Sequence, residues 1–250
     1  MVSSDMALYA ALGFAAQLVD GALGMAYGLL CTSALLATGV PPAAASASVH
    51  AAEVVTTGLA GGSHLWHGNI DWRLFRRLTP AGVAGGVLGA YVLTELPVAA
   101  VKVLVAAYLL GITALITWRV LTGRAARQVR ALGIAPVGAG GGFLDAIGGG
   151  GWGPLVTSTL VARGESPRHA VGSASLSEFF VTAAISATFL ATLDLTAYGQ
   201  VVLGLVVGGA LAAPFAGWFS RVLPQRALMA AVAVVVGGLA VHALVRLASG

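Results

Sequence analysis

The sequence predicts an all-α integral membrane protein built from two inverted repeats, each a re-entrant helical hairpin followed by three transmembrane helices. Composition, an internal duplication and the placement of basic residues carry that prediction. Of the 250 residues 58% are hydrophobic and only 9% charged, with a mean hydropathy of +0.92, whereas a soluble domain carries about 25% charged residues. Apolar runs of helix-spanning length recur from end to end without the short alternation of an outer-membrane barrel, so the spans are helices in a lipid bilayer. No length is left for a separate soluble domain. The opening residues MVSSDMALYA lack the positive n-region and small-residue cleavage site of a secretory signal, so residue 1 is expected to belong to the mature protein. The single cysteine, Cys31, excludes an internal disulfide.

Sliding the chain on itself by 125 residues aligns 20–57 with 145–182 without a gap, and fourteen of those thirty-eight positions are identical. The pairs include Asp20/Asp145, Gly24/Gly149, Gly28/Gly153, Thr32/Thr157, Ser33/Ser158, Pro42/Pro167, Ser48/Ser173 and Glu53/Glu178. Alanine and leucine matches are cheap in this composition; paired acids and prolines are not. The chain therefore divides into a first repeat over 1–118, a polar linker RVLTGRAARQVR over 119–130, and a second repeat over 131–250.

Each repeat opens on an apolar segment interrupted by an aspartate and glycines, QLVDGALGMAYG (17–28) and GFLDAIGGGGWG (142–153). The first interrupted segment, 6–38, either crosses once as a kinked helix or enters and returns, turning at Gly21 to Gly24. Its partner covers 132–162. Spans over 43–66, 75–95 and 98–118 follow the first hairpin, and spans over 168–191, 197–219 and 226–247 follow the second. If the interrupted segments cross, the best orientation leaves eight Lys/Arg inside and five outside. If they are hairpins, the halves become inverted. Arg73, Arg76, Arg77, Arg119, Arg124, Arg127, Arg130, Arg163, Arg168, Arg221 and Arg226 are then cytoplasmic, with only Lys102 and Arg246 outside. The positive-inside rule selects the hairpin, with both termini on the outer face of the cell (inner) membrane. It also accounts for the net charge of +4 without nucleic acid. Arms of about 15 residues at roughly 1.5 Å per residue reach about 22 Å, past the midplane of a roughly 30 Å core but short of its far side. Two hairpins entering from opposite faces would bring their tips together near the bilayer centre.

Four of the nine acids, Asp20, Glu53, Asp145 and Glu178, lie inside these apolar segments with no equally deep Lys or Arg. An intramembrane carboxylate costs about 2.5 to 3.5 kcal/mol on insertion scales and so marks a function or a partner. Asp20 and Asp145 precede the glycine turns, where they can cap the next helical arm or bind substrate or protons directly. Glu53 lies eleven residues past Pro42, roughly 16 Å into its span. Ser46, His50, Glu53 and Thr57 form one stripe at 4-3-4 spacing. The second repeat keeps Ser175, Glu178 and Thr182 but has no histidine opposite His50. Such a stripe either binds substrate or joins helices through hydrogen bonds worth about 0.6 to 2 kcal/mol each.

A helix that begins inside the membrane directs unpaired N–H groups and about half a positive charge at whatever precedes it, an anion site that needs no basic side chain. Discontinuous helices at a repeat interface are a common transporter device. GGGGWG also suits close helix packing, like Gly82/Gly86 or Gly204/Gly208. The residues that would face a small anion are Gly24, Tyr27, Thr32 and Ser33 at the first tip, Gly149, Gly150, Gly151, Trp152, Thr157 and Ser158 at the second. Ser48, His50, Ser173 and Ser175 line the neighbouring spans. No metal site, catalytic residue or cofactor is expected.

The Asp-then-glycine breaks, the G-V-P-P (39–42) and G-E-S-P-R-H-A-V-G-S (164–173) segments and the mid-span glutamates resemble the sulfite exporter TauE/SafE family, also called the 4-toluenesulfonate uptake permeases. The resemblance implies secondary transport of sulfur-containing anions such as sulfite, thiosulfate, sulfoacetate or other organosulfonates. Alternating access around a midplane site, with proton coupling to relieve repulsion between substrate and carboxylates, is the mechanism expected. Two other readings stay open on the residues: a cation or metal carrier using the four carboxylates, and a lipid pyrophosphate phosphatase with re-entrant hairpins, which would need deep arginines or a metal-binding acidic cluster for phosphate; the chain has no deep arginine.

Overall fold

A computed structural model describes residues 4–23, 26–122, 133–222 and 225–249; Gly24 and the linker arginines Arg124, Arg127 and Arg130 lie outside the described residues. Helix α1 runs Ser4–Leu23, α2 Tyr27–Ala37, α3 Pro42–Trp66, α4 Trp72–Glu95 and α5 Val98–Thr122. In the second half α6 runs Ile134–Gly148, and a π-helical turn over Gly153–Thr157 leads into the five-residue α7, Ser158–Ala162. Helices α8 (Pro167–Thr192), α9 (Gly199–Val222) and α10 (Gln225–Ser249) complete the chain, with a 3-10 turn at Thr196–Tyr198.

Why the helices stop where they do follows from local chemistry. Helices α1 and α6 both end three residues past their aspartate, at Leu23 and Gly148. Gly149 closes α6 at φ +64°, a left-handed conformation that costs glycine nothing and a side chain about 1 kcal/mol or more. Helix α3 starts on Pro42, whose ring presets the first turn and whose missing N–H is not needed there. Asp71 caps α4, accepting from the N–H groups of Arg73 and Leu74 at 2.8 and 3.2 Å. The first arm is longer than a 15-residue arm: α1 has 20 residues and continues through Gly21.

Among the described residues three stretches have the length and hydropathy to cross a bilayer, Ala99–Thr122, Arg168–Thr192 and Thr196–Ala213. Helices α3 and α4, at 25 and 24 residues, match them in length. The protein is thus an all-helical, multi-pass membrane protein.

Packing partners exchange between the halves. Helix α1 lies against α9, and its counterpart α6 lies against α4; α3 and α8 meet each other, as do α5 and α10. Both broken-helix contacts are made backbone to backbone. A side chain at Gly208 would strike the Ala10 carbonyl, and one at Gly142 would strike the carbonyl of Gly82. Within lipid no water drives helices together, so such close approach supplies the van der Waals contact that holds them. Two apolar clusters result, one centred on Trp152, Phe189, Ile185 and Leu78, the other on Leu205, Leu35, Val49 and Tyr27.

Candidate functional site

The two breaks meet. An added Cβ at Gly28 would collide with the Gly149 carbonyl and the Gly150 Cα, and one at Gly150 would collide with Leu29 N. Thr32 Oγ1 donates to the Gly149 carbonyl at 3.2 Å, tying the start of α2 to the end of α6. Only glycine permits this approach.

Each break is held by its aspartate in the same way. Asp20 Oδ1 accepts from the N–H groups of Ala26 at 2.7 Å and Tyr27 at 3.1 Å. Asp145 Oδ1 accepts from Trp152 N–H at 3.0 Å, and Trp152 is the position that corresponds to Tyr27. A carboxylate accepting from the first N–H groups of a helix stabilises its start, typically by about 1 kcal/mol. The aspartates therefore cap the arms that follow them.

Tyr27 and Trp152 are buried wedges rather than open faces. The Tyr27 hydroxyl donates to the Leu205 carbonyl at 2.9 Å, and Trp152 Nε1 donates to the Ala174 carbonyl at 3.0 Å. Ser48 Oγ donates within its own helix to Ala44 O at 2.7 Å. Ser173 Oγ accepts from Asp71 N–H at 2.8 Å. Ser158 Oγ accepts from Arg119 Nη1 at 2.7 Å. Ser175 is half-buried, and Thr157 is buried as the last residue of the π-helical turn. Buried hydroxyls with no partner among the described residues include Ser33, Tyr108 and Thr182.

The acids converge on this centre. Glu53 is buried, and its Oε1 would lie 2.8 Å from a Cβ at Gly28. Glu53 and Glu178 both interact electrostatically with Asp145 and Asp20. His50, fully buried, places Nε2 3.4 Å from Asp145 Oδ2. Among the described residues no three His, Cys, Asp or Glu side chains stand close enough together to hold a metal ion.

Residues outside the candidate list join them. Tyr108 of α5 lies over the second tip, close enough that a side chain at Gly148 would strike its ring and one at Gly151 would come 2.8 Å from its hydroxyl. Its signal was a polar tip in the middle of an apolar span. Arg119, half-buried, reaches Ser158; as the first residue of the linker it reads in sequence as a loop charge, whereas α5 continues past it to Thr122.

The two mouths of the bundle differ. At one, Arg168 Nε donates to Asn69 Oδ1 and its Nη2 to the His67 carbonyl at 3.0 Å, fixing the α3–α4 connection to the start of α8. Ser173 adds the bond to Asp71. At the other mouth the corresponding positions are Ala43 and Asp194, which cannot form that latch. A cleft of about 300 Å³ opens there between Pro41–Ala44, Leu93–Leu96 and Leu193–Tyr198. Asp194 at its rim accepts from Thr196 N–H at 3.0 Å and Thr196 Oγ1 at 2.7 Å, which hold its carboxyl below the usual range.

Broken helices meeting back to back inside a multi-pass bundle, with carboxylates at the junction and a cleft at one mouth, are the build of a membrane transporter. The chain belongs to the sulfite exporter TauE/SafE family, whose profile matches residues 9–243. It is 42% identical over 219 residues to the "probable membrane transporter protein YtnM" of Bacillus subtilis (strain 168), covering 84% of this chain and 73% of that protein. No solved structure matches the chain.

Proposed function

We propose that the protein is a secondary transporter of a small sulfur-containing anion, sulfite or an organosulfonate, working by alternating access around the junction of the two tips. The observation that carries the proposal is the meeting of two helix breaks at Gly28–Leu29 and Gly149–Gly150, with Thr32 across the junction. Helix starts favour an anion through N–H groups and dipole together, and Thr32 and Tyr108 add hydroxyls beside them. The substrate class rests on family membership.

The exchange of packing partners between halves supports an inverted repeat with hairpins over 6–38 and 132–162. The latched mouth at Arg168 and the open mouth at Pro41–Tyr198 suit a protein resting with access from one side. On the loop-charge orientation the open mouth faces outward and the latched one faces the cytoplasm. Glu53, Glu178 and Asp145 lie where an arriving anion would be repelled, so a proton carried with it relieves the repulsion.

A thermal-shift panel on the purified protein tests the substrate class. Sulfite, thiosulfate, sulfoacetate and taurine are compared with sulfate and chloride. The expected outcome is stabilisation by at least one sulfite-type or organosulfonate ligand and not by chloride. Saturation at a hundredfold excess over Kd adds about 2.7 kcal/mol. Equal response to every anion would contradict the proposal.

A further inference from the structure

Hydrogen-bond chemistry around His50 fixes where its protons are. Nδ1 lies 2.8 Å from the Ser46 carbonyl and 3.2 Å from Ser46 Oγ. The carbonyl has nothing to donate. The Ser46 hydroxyl directs its own hydrogen to the Ala146 carbonyl at 2.6 Å. Both neighbours of Nδ1 are therefore acceptors, and Nδ1 carries a hydrogen. A neutral imidazole then presents a bare lone pair at Nε2, and the group it faces at 3.4 Å is Asp145 Oδ2. Two lone pairs facing each other at 3.4 Å repel, and with both side chains at most 2% exposed a hydrogen between them relieves that repulsion. Asp145 Oδ1 is already engaged by the Trp152 N–H, so the second oxygen is the one that takes the contact.

We infer that His50 and Asp145 together form a proton-binding site that joins α3 to the second tip and carries the coupling proton of transport. The inference rests on the transporter reading above and assigns its proton to named side chains. With the proton bound the pair is neutral overall, either imidazolium with carboxylate or imidazole with carboxylic acid. Loss of the proton leaves imidazole and carboxylate, a net charge of −1 beside Gly149–Gly151. An anion at the tips therefore binds together with the proton, and the two cross in the same direction.

The surroundings are acidic on every side that carries charge. Glu53 of α3, Glu178 of α8 and the Tyr108 phenol of α5 interact with Asp145, and Asp20 of α1 interacts with Glu53. Helix α2 contributes only Cys31 and Tyr27, α4 nothing titratable between Arg77 and Tyr91, and α9 nothing before Arg221. Phe189 closes the remaining face, its ring centroid 6.2 Å from that of His50. Among the described residues His50 is the basic side chain paired with Asp145, while Arg119 of α5 is engaged with Ser158. The first tip has no such pair, because Ser175 stands where a histidine would face Asp20. The second tip then holds the pair.

The imidazole 15N spectrum of the full-length, histidine-labelled protein in lipid nanodiscs decides the site directly. His50 is the fully buried one of five histidines, so its signal stands apart from those in contact with solvent. The expected spectrum at neutral pH shows a hydrogen on Nδ1 and a shared hydrogen at Nε2, the latter lost in Asp145→Ala. A bare Nδ1 with an ordinary Nε2–H would overturn the inference. Proteoliposomes loaded with a pH dye add the transport readout, using sulfoacetate because its charge is fixed at neutral pH. Uptake should acidify the vesicle lumen and weaken as the outer pH is raised. His50→Gln and Asp145→Asn should abolish that proton movement. Sulfoacetate uptake by the wild type without proton movement would refute the coupling. Should no sulfoacetate enter at all, the substrate reading fails, while a shared hydrogen at Nε2 still establishes the proton site.

Discussion

At the scale of single residues, the junction depends on atoms that are absent. Gly149 combines a φ of +64° with a neighbour, Thr32 Oγ1, that occupies the place of any Cβ. Gly149→Ala should destabilise the protein by about 1 to 3 kcal/mol, visible as a lowered Tm in detergent. Gly39→Ala supplies the control, because Gly39 also has a positive φ but nothing within 4 Å. Equal losses at both positions would mean that backbone strain alone acts and the tips do not touch. The caps make a second prediction. Asp20→Asn keeps an acceptor for Ala26 and Tyr27, whereas Asp20→Ala removes it and should lower stability by about 0.5 to 2 kcal/mol more; a substrate-ligand role would instead show as weakened anion binding at unchanged Tm.

At the scale of elements, the sequence makes some features legible and hides others for a physical reason. Asp20 with its glycines, and Asp145 with its own, announce helix ends because the cause is local: a breaker and a cap within a few residues. The polar stripe on α3 is equally local, since helical periodicity places Ser46, His50 and Glu53 on one face. Long-range pairings leave no such trace. His50 meets Asp145 across 95 residues, and Arg168 meets Asn69 across 99. Arg168 reads in sequence as one more positive-inside charge, yet its guanidinium joins α8 to the connection before α4. Ser173 and Ser158 look like free hydroxyls in sequence; the fold engages them with Asp71 and Arg119.

That latch carries its own prediction. Arg168→Ala removes two hydrogen bonds from a charged donor, worth about 1 to 2 kcal/mol after solvent screening, or a factor of about 5 to 30 in a two-state population. With Cys31 replaced by alanine and a reporter cysteine at the buried Ser173, thiol labelling at that mouth should rise by that factor when Arg168 is removed. Unchanged labelling would show that the contact is not a gate.

For the whole molecule, membrane residence follows from hydropathy and family membership from the paired motifs. Topology depends on the bilayer, and the loop arginines speak for it. The inverted arrangement predicts that single cysteines at residues 2 and 39 are modified by the same impermeant reagent from the outer face, and residue 69 from the cytoplasmic face. Residues 2 and 39 on opposite faces would replace hairpins with crossing helices.

Counterflow tests the central claim most directly. Proteoliposomes preloaded with unlabelled sulfoacetate are placed in a trace of labelled sulfoacetate without any ion gradient. An alternating-access anion carrier predicts transient accumulation of label inside above its outside concentration, absent when the vesicles are loaded with chloride and lost in Gly28→Leu, where a side chain fills the junction. Label that enters no faster with sulfoacetate inside than with chloride inside would contradict an exchanging anion site where the two tips meet.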